Sequence, residues 1–538
     1  MLDDGCRRAD TKGWQMTGSV SAAALKGRLD AQAPIGLLDV REHGQYGEGH
    51  LLFASNCPYS RLELRAPRLL PDKRAEVYLY DDGDGVAERA ARRLGEIGYS
   101  NVSTLSGGLP AWRAAGFGVF KGVNVPSKVL GELVELAEHT PQITAQDLLD
   151  MQRQPLAPSL IDGRPAKDYR KMTVPGARSI PNGELLYRYA ALGLPENQPI
   201  VIHCAGRTRG LIGAQSLINA GIPNPVYALE NGTQGWVLSG NELSRDNTPG
   251  ALPELSADQL ERGAALADRL ISQHALPVID AADLPAWRRN NAYLLDVRSE
   301  EEFAAGQVPG SVHAPVVQLV QATDEWVAMR RARIALIDDN GVRAASAAFW
   351  LRQMGHDAVV VRGGLSLAET AAAPCEAGTL PTISPAELAR VSGTVTILDL
   401  RSSMAFRKGH VPGAAWAIRP RAAAVAQGLD GQVVLVADDP GVGALFASEL
   451  AAFTTVECRY LTGGMEGWIA AGEPVAASPD SPPDEEAIDF LFFVHDRHDG
   501  NLEASRRYLE WETGLVAQLD PMERAVFQLI RTAEHADG

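Results

Sequence analysis

The segment Pro199–Gly210, PIVIHCAGRTRG, holds the residues of this sequence best suited to covalent chemistry. Cys204 ends a run of β-branched residues, Ile200, Val201 and Ile202, that reads as a short buried strand. It opens a loop of small residues and arginines, Ala205, Gly206, Arg207, Thr208, Arg209 and Gly210, and Leu211–Ala220 then has helical character. A strand, a tight loop and a helix N-terminus aim several backbone N–H groups at one thiol, which favours a thiolate and the anions it meets. In this reading Cys204 is the nucleophile. The backbone of Ala205, Gly206, Thr208 and Gly210 cradles negative charge, and Arg207 and Arg209 bind an anionic group. Either arginine could instead pair with a carboxylate on a neighbouring wall. His203 invites a Cys–His pairing, but neighbours on a strand point to opposite faces, so His203 is expected to face away from the sulfur.

The other cysteines, Cys6, Cys57, Cys375 and Cys458, read as small core or terminal side chains, because no pair has metal-ligand or redox spacing. Few and scattered thiols imply a reducing compartment. His495 and His498, on a turn before a tail helix, are the candidates for a metal but read as ordinary turn residues; no metal and no cofactor are expected. A net charge of −17 argues against nucleic acid or an anionic membrane as a general partner. Neither a signal-peptide core nor a membrane-length apolar run is found, so the expected location is cytoplasmic.

The elements that position the loop repeat. An apolar strand ending in Asp-x-Arg and leading to an aromatic residue occurs at Leu37–Tyr46, Leu160–Tyr169, Leu294–Phe303 and Leu398–Phe406. Eleven residues after each Arg comes a turn, Val-Pro-Gly in three copies. Second strands follow at Val77–Tyr80, Ile200–His203, Ile334–Ile337 and Val433–Val436. From Asp39 to Asp81, Asp162 to Cys204 and Asp296 to Asp338 the separation is 42 residues each time, while Asp399 to Ala437 is 38. Each second strand precedes an amphipathic helix (Glu88–Ile97, Leu211–Ala220, Ala344–Met354, Ala444–Phe453), a third strand and a Gly-rich turn. Strands alternating with helices predict α/β units, each a mainly parallel sheet flanked by helices, arranged as two tandem pairs.

The expected units are 17–122, 138–243, 274–372 and 380–475, with a tail at 484–538 carrying a helix over Asn501–Leu519 and an apolar DFLFF run that docks on a neighbour. A connecting helix is expected in Val123–Gln142 and another around Ala257–Ser272. At the position of Cys204 the other copies have Asp81, Asp338 and Ala437. One site in four is therefore expected to be active, with the thiol-free copies serving as scaffold or interaction surface. Asp162 and Arg164 read as structural, since every copy keeps that pair.

These motifs resemble the rhodanese family of sulfurtransferases over all four repeats, roughly Ser19 to Glu473: the Asp-x-Arg strand end, the aromatic and Val-Pro-Gly turn, the strand-to-Cys loop and the closing Gly-x-x-Trp. The resemblance implies that Cys204 takes a sulfane sulfur from a small anionic donor as a persulfide and passes it to a thiophilic acceptor such as cyanide or a thiol. Thiosulfate is the favoured donor, with 3-mercaptopyruvate or relay to a protein sulfur acceptor as alternatives. The position where some members carry an Arg before the first aromatic is Asp168 here. A Cys-x5-Arg phosphatase shares the architecture, but Cys204 and Arg209 bracket four residues, one short of that pattern. The smaller ring suits a single persulfide sulfur.

Overall fold

A computed structural model describes residues 18–288, 292–369, 380–495 and 501–530. Cys6, Cys375 and His498 lie outside the described residues, as does the side chain of His495.

Four five-stranded parallel sheets, one per repeat, share one strand order. In the second unit that order is Gln142–Ile143, Val226–Leu229, Ile200–His203, Ser159–Asp162 and Arg178–Ser179. Ile200–His203 is central, in parallel register with Ser159–Asp162 so that His203 lies beside Asp162. Both faces are covered, as the uninterrupted apolar run requires. Alternation divides the strand between two cores. Ile200 and Ile202 pack with Leu211, Ile212 and Leu217 of the following helix, whereas Val201 packs with Leu160, Leu229 and Trp236 on the other face. Each such side chain contributes about 1.5–3 kcal/mol on burial. The C-terminal strand ends, where parallel sheets present their ligand sites, thus carry Asp162 beside His203, with Cys204 one residue further on.

The helix after the central strand spans Thr208–Asn219, three residues earlier than its periodicity predicts. Thr208 and Arg209 therefore belong to its first turn, and Arg207 is its N-cap. The connecting helix, Val125–Glu138, is buried over most of its circumference. It lies across the helix start so closely that a Cβ on Gly131 would stand 2.8 Å from Thr208 Cγ2. The second and third units meet through Arg343, fully buried, whose guanidinium reaches Glu184 of the second unit and Glu302, Asp338 and Asp339 of its own. The first and fourth units meet through Arg419, which binds both oxygens of Glu63 at 2.6 and 2.8 Å.

The tail returns to the body. Gln45 N–H donates to the Ile488 carbonyl at 3.2 Å, and Leu491 fills the space that a Cβ on Gly47 would need. The tail helix runs over Leu502–Thr513, capped by Asn501 and ended at Gly514, so it is shorter than the expected Asn501–Leu519. Its buried face is Ala504, Ser505, Tyr508 and Glu512, while Leu502 is exposed. Among the described residues no helix is long and apolar enough to cross a membrane.

Candidate active site

Asp162 and Arg164 form the floor of the site. Arg164 Nε and Nη2 donate to the two Asp162 oxygens at 2.9 and 2.7 Å, and Nη2 also reaches the Met172 carbonyl at 2.5 Å. The same fork joins Asp39 to Arg41, Asp296 to Arg298 and Asp399 to Arg401, each arginine also capping the carbonyl eight residues on. A pair present in thiol-free and thiol-bearing units alike holds the strand end and its turn. His203 shares this buried floor: Nε2 lies 3.3 Å from Thr173 Oγ1 and 3.9 Å from Asp162. Burial lowers its pKa. It faces away from the sulfur, as alternation requires.

The loop carbonyls are held from behind. Thr233 N–H donates to the Cys204 carbonyl at 2.8 Å, and Gln234 N–H and Nε2 both donate to the Ala205 carbonyl at 3.1 Å. This contact requires glycine at position 232: its φ is +52°, and a Cβ there would stand 2.3 Å from the Cys204 carbonyl oxygen. With its carbonyls drawn outward, the loop is left with N–H groups facing inward.

The thiol-free units show what those N–H groups hold. In the first unit the Asp81 carboxylate, in the place of Cys204, accepts the N–H groups of Gly83 and Ala87, both at 2.9 Å. In the third, Asp338 accepts the N–H groups of Asp339 and Arg343 at 2.8 Å and that of Ala344 at 3.3 Å. Ala87 and Ala344 stand six residues after their Asp, as Gly210 stands six after Cys204. Two units thus fill the loop with an anion of their own, and the second offers a thiol, hydrogen-bonded by Gly210 N–H.

Cys204 is 4% exposed. Burial pushes its thiol pKa up and the Glu512 carboxylate adds to the rise, while Arg209, the Gly210 N–H and Arg164 oppose it. The thiolate-favouring loop expected from sequence is thus outweighed in this state by burial and by a carboxylate from the tail. Cys57, buried and pushed up to about 12, and Cys458, on the strand Glu457–Leu461, face no such loop.

The two loop arginines differ. Arg207, expected at the anion, turns to the connecting helix: Nε and Nη2 donate to Glu132 at 2.8 and 3.1 Å, and Nη2 also reaches Glu135. Arg209 remains at the pocket, with Nη1 3.5 Å from Asp168 and a buried Nε that has no hydrogen-bond partner among the described residues.

A pocket of about 180 Å³ lies over the loop. Its walls come from the interunit segment Val123–Asn124, Lys128 of the connecting helix, Gln321 of the third unit, and Tyr508 and Glu512 of the tail. Thr208 Oγ1 donates to Glu512 Oε1 at 2.9 Å. None of these walls was singled out by sequence. For Glu512 a signal existed, since it stands four residues after Tyr508 and eight after Ala504, on the face that the helix buries. Gln321 had none, because it reaches the pocket only through the packing of one unit on another.

The rhodanese-like domain model matches this chain four times, at residues 21–115, 144–239, 280–369 and 384–471. The crystal structure of a thiosulfate sulfurtransferase from Pseudomonas aeruginosa is similar over 95% of this chain and 99% of that one, with a TM-score of 0.85 and 39% identity. SseB of Mycobacterium tuberculosis, provisionally named a thiosulfate sulfurtransferase, is 28% identical over 204 residues, 31% of this chain and 71% of SseB. The uncharacterized protein YqhL of Bacillus subtilis is 38% identical over 76 residues, 14% of this chain. The chain spans 59% of the length of YqhL.

Proposed function

We propose that this chain, which belongs to the rhodanese-like family through all four of its units, is a sulfurtransferase that works through a persulfide on Cys204 of the second unit alone. The observation that carries the reading is the internal comparison. Where the first and third units place a carboxylate against the loop N–H groups, the second places a thiol, the one so situated among the described residues. A loop that holds a carboxylate in two units is built to hold the negative charge of a thiolate or a persulfide in the other.

The Cys204 thiol loses its proton to solvent, and the thiolate attacks the outer sulfur of thiosulfate. The S–S bond of the donor breaks, leaving Cys204–S–S⁻ and sulfite. Cyanide or a thiolate then takes the outer sulfur and returns Cys204 as thiolate. Arg209 lies beside the thiol and has a free Nε, so it is assigned to the sulfonate end of the donor and to the departing sulfite. The amides of Ala205, Gly206, Thr208 and Gly210 hold the persulfide charge. Arg207 organises the loop from the connecting helix. The similarity to the Pseudomonas aeruginosa enzyme supports thiosulfate as donor. The test is thiosulfate-dependent thiocyanate formation by the full chain and by Cys204→Ser. The wild type is expected to turn over and the variant to lose all detectable activity; activity surviving in Cys204→Ser would contradict the assignment.

A further inference from the structure

Besides Arg209 of the second unit, two side chains in the Cys204 pocket have polar atoms without partners among the described residues, and both come from outside that unit. Glu512, from the tail helix, is 2% exposed. Its Oε1 accepts from Thr208, but its Oε2 has no hydrogen-bond partner among the described residues. It stands close over the loop, where a Cβ on Gly206 would be 2.8 Å from that oxygen. Gln321, the last residue of the third unit's helix Val316–Gln321, is 5% exposed, and both its Oε1 and Nε2 are without hydrogen-bond partners among the described residues. Leaving such groups buried and unpaired costs about 1–3 kcal/mol each, more for a charged one. Where such groups line a pocket beside a reactive thiol, a bound ligand is one partner that would satisfy them.

The unpaired atoms define what that ligand carries. Glu512 Oε2 and Gln321 Oε1 accept hydrogen bonds, and the first is negatively charged, so this side of the pocket asks for a donor group with positive charge. A dianionic sulfur donor does not supply one. An acceptor thiol bearing a protonated amine does. Gln321 Nε2 and, across the pocket, Arg209 Nε remain for an oxygen of the same molecule.

We propose that Glu512 and Gln321 form an acceptor subsite beside Cys204, selecting an aminothiol of the cysteamine or cysteine class. The inference rests on the persulfide reading of Cys204. The persulfide anion first takes a proton from solvent, as the thiol had lost one there; the acceptor's ammonium is held by Glu512 while its thiolate attacks the outer sulfur of Cys204–S–SH. The bond between the two sulfurs of Cys204 breaks, RS–SH forms, and Cys204 leaves as thiolate, so charge and electrons balance with no further reactant. The third unit and the tail, which bring no thiol of their own, thereby enter the reaction as the wall that recognises the acceptor.

The test uses the full chain with three acceptors of one size class, cysteamine (cationic), 2-mercaptoethanol (neutral) and 3-mercaptopropionate (anionic), and thiosulfate as donor. Wild type is expected to favour cysteamine over 3-mercaptopropionate by about tenfold or more in kcat/KM, allowing for thiol pKa, and Glu512→Gln to remove that preference. Gln321→Leu should raise the KM of cysteamine with little change in kcat. Alkylation of Cys204 by 2-bromoethylamine, iodoacetamide and iodoacetate reads the same charge preference without any sulfur transfer, so it separates this inference from the persulfide reading. Relative to free cysteine, the cationic reagent should be favoured in wild type and not in Glu512→Gln. A preference for the anionic acceptor and reagent in wild type, or a charge order unchanged in a folded Glu512→Gln, overturns the proposal.

Discussion

The Asp81 carboxylate of the first unit accepts the N–H of Ala87 at 2.9 Å, and the residues that occupy those two places in the second unit are Cys204 and Gly210. This chain carries its own control for what its loop binds. The loops of the first and third units are occupied by an internal carboxylate, which closes them to an external anion.

The contact behind the loop predicts a paired result. Gly232→Ala and Gly108→Ala each place a Cβ on a positive-φ residue against a loop carbonyl, 2.3 Å from Cys204 O and 2.4 Å from Asp81 O. Each should lower stability by about 1–3 kcal/mol through backbone strain, read by thermal denaturation. Only Gly232→Ala should also lower sulfur transfer, because only there does the displaced carbonyl belong to the residue that reacts.

Arg207 and Arg209 should separate in a kinetic assay. Arg209→Ala should raise the KM for thiosulfate about tenfold or more, as loss of a charge-assisted contact. Arg207→Ala should act first on stability. Burial raises the pKa of Glu132 to about 7 even with Arg207 beside it. Without that partner Glu132 takes up a proton, which limits the cost to about 1–3 kcal/mol. The sign follows from linkage. The folded-state pKa lies above the ordinary carboxylate value, so Glu132 holds its proton more tightly folded than unfolded, and its contribution to stability falls as pH rises through that interval. The deficit of Arg207→Ala against wild type should therefore be larger at about pH 8 than at about pH 6, measured by denaturant titration at both.

Cys204 should react slowly for a nucleophile while the tail is in place. Its thiol is raised by burial and by Glu512, and is held down by Arg209, Gly210 N–H and Arg164; Asp168 faces Arg209, and Asp162 and His203 lie beneath. The pH profile of alkylation by iodoacetamide should have its midpoint above the ordinary thiol value of about 8.5. Arg209→Ala should move it further up.

Cys57→Ser and Cys458→Ser should leave thiocyanate formation within about twofold of wild type, as expected of sites far from the reaction. Cys57 lies fully buried, with its thiol pushed up to about 12.

Much of this was readable before any coordinates, because periodicity and repetition are properties of the chain itself. The alternation of Ile200, Val201 and Ile202 placed one strand between two cores and turned His203 away from the sulfur. The fourfold Asp-x-Arg told fork from nucleophile. What could not be read were contacts made across long stretches of chain. Arg207 meets Glu132 and Glu135 only because Gly131 lets the connecting helix lie against Thr208. Glu512 meets Thr208 across 304 positions of sequence. The tail helix was legible only in part: of its loose stripe of Leu502, Leu509, Trp511 and Leu515, Leu515 is buried and Trp511 packs on the core, yet the pocket also takes Tyr508 and Glu512 inward and leaves Leu502 in solvent.

Mass spectrometry of the intact chain after incubation with thiosulfate, followed by peptide mapping, tests the central claim most directly. One added sulfur atom per chain, located on Cys204, absent from Cys204→Ser and discharged by cyanide, is the predicted result. A chain that gains no sulfur, or that carries it on Cys57 or Cys458 with Cys204 unmodified, would contradict the account.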